Sequence, residues 1–466
     1  MAGSYEILKQ LIHSTIQVAN FQKVRLEELL AKEFPFKHSK SLINTLLEFD
    51  KEIIKQLQEK EKIFNKITKP EDFENVRDSI LSFMTLIWEL NYIVHIIERS
   101  AREHVTESTV LLLEDLTITF KNSKFFLVPI FEHNYSYRDL RNYLTKVTQI
   151  LPNTKHVLSS LPDHLSVLQF PDIYRDNLIA NSLLGHEVGH FIDDVHGISE
   201  KLNPKAIIDK TKFEELLQKV KKDIEVEMKG PLPEFLKLEQ IRTNLLTQLN
   251  SDISHWIMEL ISDLIAFRLC GPVFLFALAE FLLSRNYPNQ HTNNYPPASL
   301  RLELLLEEFT DIGFMNHIKE KDHKNLVSEL INGIKNYLDT SKTDPKTNLV
   351  YDTVVSIKSL MKQEAKNSTN GCQYDPKLFG EEVFKLIGRL SEFIPPCEIE
   401  YQKPANLVSI LNAGMIYRIT WRKNPPPLEV RTAEDSYLVE QNINSLVTKS
   451  IELSVIQRKM QELGDA

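Results

Sequence analysis

The chain has 466 residues, 42% hydrophobic and 26% charged, the proportions of an ordinary globular protein long enough for two or three domains with sizeable cores. Its net charge of -9 and isoelectric point near 5.9 give no electrostatic reason to expect nucleic acid or an anionic membrane as partner. Cys270, Cys372 and Cys397 are odd in number and far apart, which argues against a disulfide framework or a CxxC metal site and fits a reducing compartment.

The amino terminus carries neither the basic nor the apolar segment of a secretory signal, and no run of about 18 uncharged apolar residues follows, so a cytoplasmic protein without a membrane partner is expected. Residues 4 to about 107 read as helices. Leu8, Leu11, Ile12 and Ile16, then Leu42, Leu46, Leu47, Ile53, Ile54 and Leu57, recur at three and four. From Asn75 to Glu103 the apolar residues cover several faces, as in a helix inside a bundle.

Between Val110 and Phe170 the period shortens. Val110–Leu113 with Leu116–Phe120, Phe125–Phe131 and Leu165–Phe170 are short β-branched and aromatic runs that read as strands, with a helix over Arg138–Thr148. Strands just before a metal-site helix suggest a small sheet whose edge can hold an extended peptide through main-chain hydrogen bonds.

Then comes His186-Glu187-Val188-Gly189-His190. On a helix the two imidazoles stand one turn apart on one face and can converge on one ion. Glu187 is placed to take a proton from water whose pKa a zinc ion has lowered, as in the zinc metallopeptidase signature His-Glu-x-x-His. The flanking Leu183, Leu184, Val188, Phe191 and Ile192 make the segment apolar, and two histidines and a glutamate inside a buried helix need partners, of which a metal is the simplest.

After a charged helical excursion near 200–250, interrupted at Gly230-Pro231-Leu232-Pro233, an apolar helix over Ser254–Phe267 carries Glu259 and Asp263 one turn apart. His-Glu-x-x-His followed by Glu259-x-x-x-Asp263 resembles the gluzincin branch of the zinc metallopeptidases. The resemblance covers the two helices between Asn181 and Pro272. It implies that Glu259 is the third ligand of one zinc per chain and that Asp263 orients His186. A second reading uses His196, which falls where metzincins place their third histidine. The glycine that turns the metzincin chain is Asp193 here, a costlier residue at positive φ, and the Glu259 reading is preferred.

Gly271-Pro272 closes that helix, Val273–Leu283 forms another, and a proline-stiffened loop follows with His291, Tyr295 and Arg301. These three are the candidates to carry charge on an attacked carbonyl oxygen. Residues 302–390 read as helices interrupted near 340–348 and 367–371, and Leu407–Thr420 and Ser436–Leu463 as two closing helices around Pro425-Pro426-Pro427.

The sequence therefore predicts a mainly α chain with a small mixed β-sheet (α+β). Its organisation would be an N-terminal helical domain (1–107), a zincin-like core (108–310) and a C-terminal helical scaffold (311–466). The expected activity is zinc-dependent hydrolysis of a peptide or protein substrate, with Glu187, Tyr295 and Arg301 as catalytic residues, His186, His190 and Glu259 on the metal and Asp263 behind them. The alternative is a zinc-containing sensor or interaction protein without catalysis. A retained Glu187 favours the enzyme, since a structural site needs ligands but no base.

Overall fold

The structure is a computed structural model. It describes residues 2–464 except 37, 67–69, 121–122, 133, 231–237, 285–294, 339–344 and 424–432. The chain is mainly α with one small mixed sheet, as expected, plus a two-stranded ribbon, Glu398–Glu400 against Lys403–Pro404. It divides into two compact units: residues 1–110 with 120–175, and residues 111–119 with 176–466. The stretch 108–310 is thus shared between them, its sheet in the first and its His-Glu helix in the second.

The first unit is built on α1 (Ala2–Leu29), α2 (Ser39–Phe64) and α3 (Pro70–Arg99). Leu8, Ile12, Leu42, Leu46, Phe49, Ile53, Ile80, Leu86, Leu90 and Ile97 interlock in one core that also takes in sheet residues Phe126, Val128, Leu165 and Val167. Residues Phe73–Arg99 of α3 are long and apolar enough to cross a bilayer, with mean hydropathy 1.6. Half of the most apolar window is buried in this unit, as a bundle's core helix also is.

Glu107–Leu116 is a helix, α4, and corrects the expectation of strands over 110–120. A run of four apolar residues fits a strand or a buried helix turn equally well, and the leucines and acids here are helix formers. Strands β1 (Ser123–Ile130), β2 (Ser136–Asp139) and β3 (His164–Pro171) form the sheet in the order β1-β3-β2. β1 runs parallel and β2 antiparallel to the central β3. Pro129 is accommodated because β1 is an edge. β2 takes the first two residues of the expected 138–148 helix. That helix, α5 (Leu140–Ile150), starts after Asp139, whose carboxylate accepts the Asn142 N–H at 2.9 Å.

The second unit contains α6 (Leu184–His196), α7 (Ile198–Leu202), α8 (Lys210–Glu227), α9 (Leu238–Cys270), α10 (Pro272–Ser284) and α11 (Ala298–Ile312). Shorter helices between Phe314 and Ser391 follow, and α18 (Leu407–Lys423) and α19 (Ala433–Gly464) close the chain; α12 to α17 are Phe314–His317, Lys321–Leu338, Pro345–Val355, Lys358–Ser368, Pro376–Leu378 and Phe384–Ser391. The expected helix over 254–267 is the carboxyl-terminal half of one 33-residue helix, α9. Pro231–Pro233, His291 and Pro425–Pro427 lie outside the described residues.

Asn412 of α18 fixes the junction that ends α9. Its amide Nδ2 donates to Cys270 O at 3.0 Å and Val408 O at 2.9 Å, and its Oδ1 accepts Val273 N–H at 2.7 Å. Asn412→Leu leaves a buried donor and acceptor unpaired and is expected to destabilise the second unit by roughly 2–4 kcal/mol in urea unfolding.

Asp50, fully buried in the first unit, accepts from Gln22 Nε2 at 3.2 Å, while its Oδ2 lacks a partner among the described residues. Burial pushes its carboxyl from 3.8 up to about 8. The native chain therefore binds a proton that the unfolded chain releases above pH ~4, and this stability falls as pH rises towards 8. Asp50→Asn should gain stability over wild type that is about 2–3 kcal/mol larger at pH 7 than at pH 5. Equal gains at the two pH values would refute the buried proton.

Candidate metal centre

Helix α6 follows a 3-10 turn over Ala180–Leu183 and ends on Gly197, whose φ of 58° supplies the left-handed residue that terminates the helix. Between Leu184 and Asp193 only His186 and His190 are not buried. The other side of α6 is sealed against α9. A Cβ at Gly189 would lie 2.5 Å from Ser262 O and 2.7 Å from Ser262 Cα, so only glycine permits this approach. The two helices run antiparallel, Gly185 facing Ala266 and Gly189 facing Ser262.

This approach brings three donors together. His186 Nε2 and His190 Nε2 are 3.1 Å apart. Glu259 places Oε2 3.2 Å from His186 Nε2 and Oε1 3.4 Å from His190 Nε2. The ligand atoms of His186, His190 and Glu259 lie within 4.8 Å of one another, and this is the one such His/Cys/Asp/Glu group among the described residues that could hold a metal ion.

Each imidazole is tethered at its other nitrogen. His186 Nδ1 lies 2.8 Å from Asp263 Oδ1. His190 Nδ1 lies 2.9 Å from Ser262 Oγ, which donates to Met258 O at 2.9 Å. With the Ser262 proton directed to Met258, Oγ accepts Nδ1–H of His190. Both rings then carry Nδ1–H, and each Nε2 offers a lone pair to a metal once the proton held between the imidazoles and Glu259 is lost. Asp263 is held in turn by Arg301, whose Nε donates to Oδ2 at 2.7 Å and Nη2 to Oδ1 at 2.8 Å.

Burial alone would lower the His186 pKa, but the Asp263 carboxylate, and then Glu259, push it up to about 10. Burial would raise Glu259, yet hydrogen bonds and charge from the two imidazoles hold it well below the usual carboxylate range. Asp263 is likewise lowered, burial being outweighed by Arg301 and His186. Glu187 goes the other way, raised mainly by burial and further by Glu259, against the lowering pull of both histidines. Without a metal the cluster balances its carboxylate with a proton, so metal binding there displaces it.

The structure thus unites His186, His190, Glu259 and Asp263 with Glu187 beside them. His196 stays apart. The helix runs on through Asp193, whose Oδ1 accepts Ser199 N–H at 2.7 Å, and His196 sits exposed in the last turn, about 15 Å along the axis from His186. Arg301 is buried, and its Nε and Nη2 are both taken up by Asp263, on the far side of that carboxylate from His186 in the chain of contacts, whereas the sequence reading has it facing a substrate carbonyl. Tyr295 is half exposed. Burial and the charges of Glu259 and Glu187 raise its phenol, which puts it within electrostatic reach of the cluster. Sequence reading missed Ser262. Its signal was position, one residue before Asp263 on a helix face already marked by Glu259.

Comparison with protein-family models, with curated proteins and with solved structures gives no match. The reading of the site therefore rests on its own geometry.

Purified chain is expected to bind one divalent metal ion, and His186→Ala, His190→Ala and Glu259→Ala each to abolish stoichiometric binding. Ser262→Ala should weaken it about 10- to 100-fold and His196→Ala should leave it unchanged, as measured by competition with a chromophoric chelator. An effect of His196→Ala as large as that of Glu259→Ala would overturn the assignment.

Proposed function

We propose that this chain is a zinc-dependent peptide-bond hydrolase. The observation that carries the reading is the convergence of His186 Nε2, His190 Nε2 and Glu259 in a buried cluster, with Glu187 one residue from the first ligand. His186 Nε2 stands 3.1 Å from His190 Nε2 and 3.2 Å from Glu259 Oε2, close to the roughly 3.3 Å between donors of a tetrahedral ion with bonds of about 2.0–2.1 Å, while the other carboxylate oxygen, Oε1, lies 3.4 Å from His190 Nε2. Two imidazoles and one carboxylate favour zinc over calcium or magnesium, which prefer oxygen donors. Three protein donors also leave a fourth position open, as catalytic rather than structural sites do.

Zinc held there would supply a lowered water pKa and a polarised substrate carbonyl. Glu187 accepts the proton of the attacking water and returns it to the leaving amine. Burial raises its carboxyl above the ordinary carboxylate value, which makes its ionised form a stronger base. Asp263 and Ser262 keep the two imidazoles in the tautomer that binds metal, and Arg301 keeps Asp263 ionised. Tyr295 is the group available to donate to the developing oxyanion.

Glu187→Gln preserves size and removes basicity. It should retain zinc while losing about 10²- to 10⁴-fold in kcat on a peptide that the wild type cleaves. Cleavage at the wild-type rate would remove Glu187 from the mechanism. Zinc binding by the wild type without hydrolysis across a diverse peptide library would favour the non-catalytic sensor reading.

A further inference from the structure

One line of α3 lies outside the core of the first unit. Leu81, Thr85, Trp88, Tyr92 and His95 are exposed and Arg99 is partly buried, and their spacing of four and three puts all six on one face, about 27 Å long. Leu81 is 47% exposed, Trp88 76% and Tyr92 40%. Two cations border the line. The Arg99 guanidinium lies 4.5 Å from the ring of Phe131, itself 83% exposed, and that of Arg138 lies 5.0 Å from the ring of Tyr92. A contiguous apolar surface of this kind marks a contact site.

Its charges lack partners within the chain. Neither Arg99 nor Arg138 meets a carboxylate among the described residues. Glu89 accepts the Tyr143 hydroxyl of α5 at 2.9 Å and meets no cation among the described residues, so it stands with Arg138 on the side of the line where β2 and α5 approach α3. At the amino-terminal end Arg77 is shared by Glu74 at 2.5 Å and Asp78 at 2.9 Å, one cation between two acids.

A second copy of the chain supplies what this face lacks. The six positions are symmetric about position 90, so one α3 laid antiparallel on another pairs Trp88 with Tyr92, Thr85 with His95 and Leu81 with the stem of Arg99, each contact occurring twice. A two-fold axis across the helix pair keeps the β2–α5 sides together. Arg138 then faces Glu89 of the second copy, and Arg99 faces the end where two acids share Arg77. With about 150–250 Å² for each aromatic side chain, the exposed parts of Leu81, Trp88, Tyr92 and Phe131 amount to roughly 500 Å². The polar residues between them bring the face towards the ~800 Å² per partner of a standard interface. An anionic bilayer also takes Trp, Tyr and Arg, but it would meet Glu89 and the excess acid beside Leu81 in a chain of net charge -9.

We propose that the chain forms a two-fold dimer through this face of α3, the two helices antiparallel and crossing at position 90. The proposal is independent of the metal centre and of the peptidase reading.

Sedimentation velocity of the full chain should show a dimer with a Kd of about micromolar order. Trp88→Glu changes an exposed position, so it should leave the fold and metal binding intact while weakening the dimer at least about 30-fold. Glu89→Arg and Arg138→Glu should each weaken it about 10-fold, since the contact occurs twice, and the variant carrying both should recover most of the wild-type affinity. A wild-type chain that stays monomeric at roughly 100 µM would overturn the dimer, and its co-sedimentation with phosphatidylglycerol vesicles would assign the face to a bilayer instead. A dimer that Trp88→Glu does not weaken would place the interface elsewhere and overturn the proposal. Weakening by both single charge changes without recovery in the double variant would overturn the antiparallel pairing.

Discussion

The site depends on one backbone contact, the approach of α6 to α9 at Gly189 and Ser262. Any side chain at 189 would overlap the Ser262 main chain, so the helices would have to separate. The reach of the tethers is short. Ser262 Oγ must come within hydrogen-bond distance of His190 Nδ1, and Asp263 within that of His186 Nδ1. A shift of even one ångström at the contact would break bonds of 2.8–2.9 Å. Gly189 lies inside the His-Glu-x-x-His motif, so the residue that admits the neighbouring helix and the residues that meet its side chains share one turn and a half.

That contact encloses a row of charges, and burial makes their order matter. Arg301 faces Asp263, Asp263 faces His186, and His186 faces Glu259. Each member is compensated by the next, and the row ends at the donor cluster, which could hold a metal ion. Removing an interior member leaves an uncompensated buried charge, which costs more than the net value of the pair it belonged to. Arg301 is therefore as structural as it is electrostatic, and its bidentate grip also fixes the plane in which Asp263 presents Oδ1 to His186.

How much of this the sequence disclosed follows from the range of each signal. His186, Glu187 and His190 were legible because their relation is local and the helical period is regular. Glu259 and Asp263 stood out as two acids one turn apart on an apolar helix, but their separate roles toward the histidines came only through a resemblance, since no short-range pattern links residues about seventy positions away. Helix α4 was misread because a four-residue apolar run fits either period, and β2 was missed because its four residues alternate weakly and precede a good amino-terminal cap. Asp193 was weighed as a turn residue, whereas the helix passes straight through it and Gly197 makes the turn. Arg301 could be placed near the site but not oriented. An arginine beside a charge row is equally able to face the cleft or the carboxylate behind it, and only the packing of α11 on α9 decides.

The two glutamates of the site show why geometry and chemistry agree. Glu259 and Glu187 are both buried and feel the same two histidines, yet one is held well below the ordinary carboxylate range and the other is raised. The difference is contact. Glu259 stands against both Nε2 atoms and is stabilised as an anion, whereas Glu187, about 100° around α6 from His186, feels the imidazoles only at longer range and is dominated by its apolar setting. A metal ligand is used ionised and a carboxylate whose pKa is raised is a stronger base, so the two environments differ in the direction that the proposed hydrolysis asks of each side chain. That difference depends on the helical offset between positions 186 and 187. An acidic residue on the same face as the two histidines would fall against the donors and be held ionised, leaving the cluster with a fourth ligand and no base.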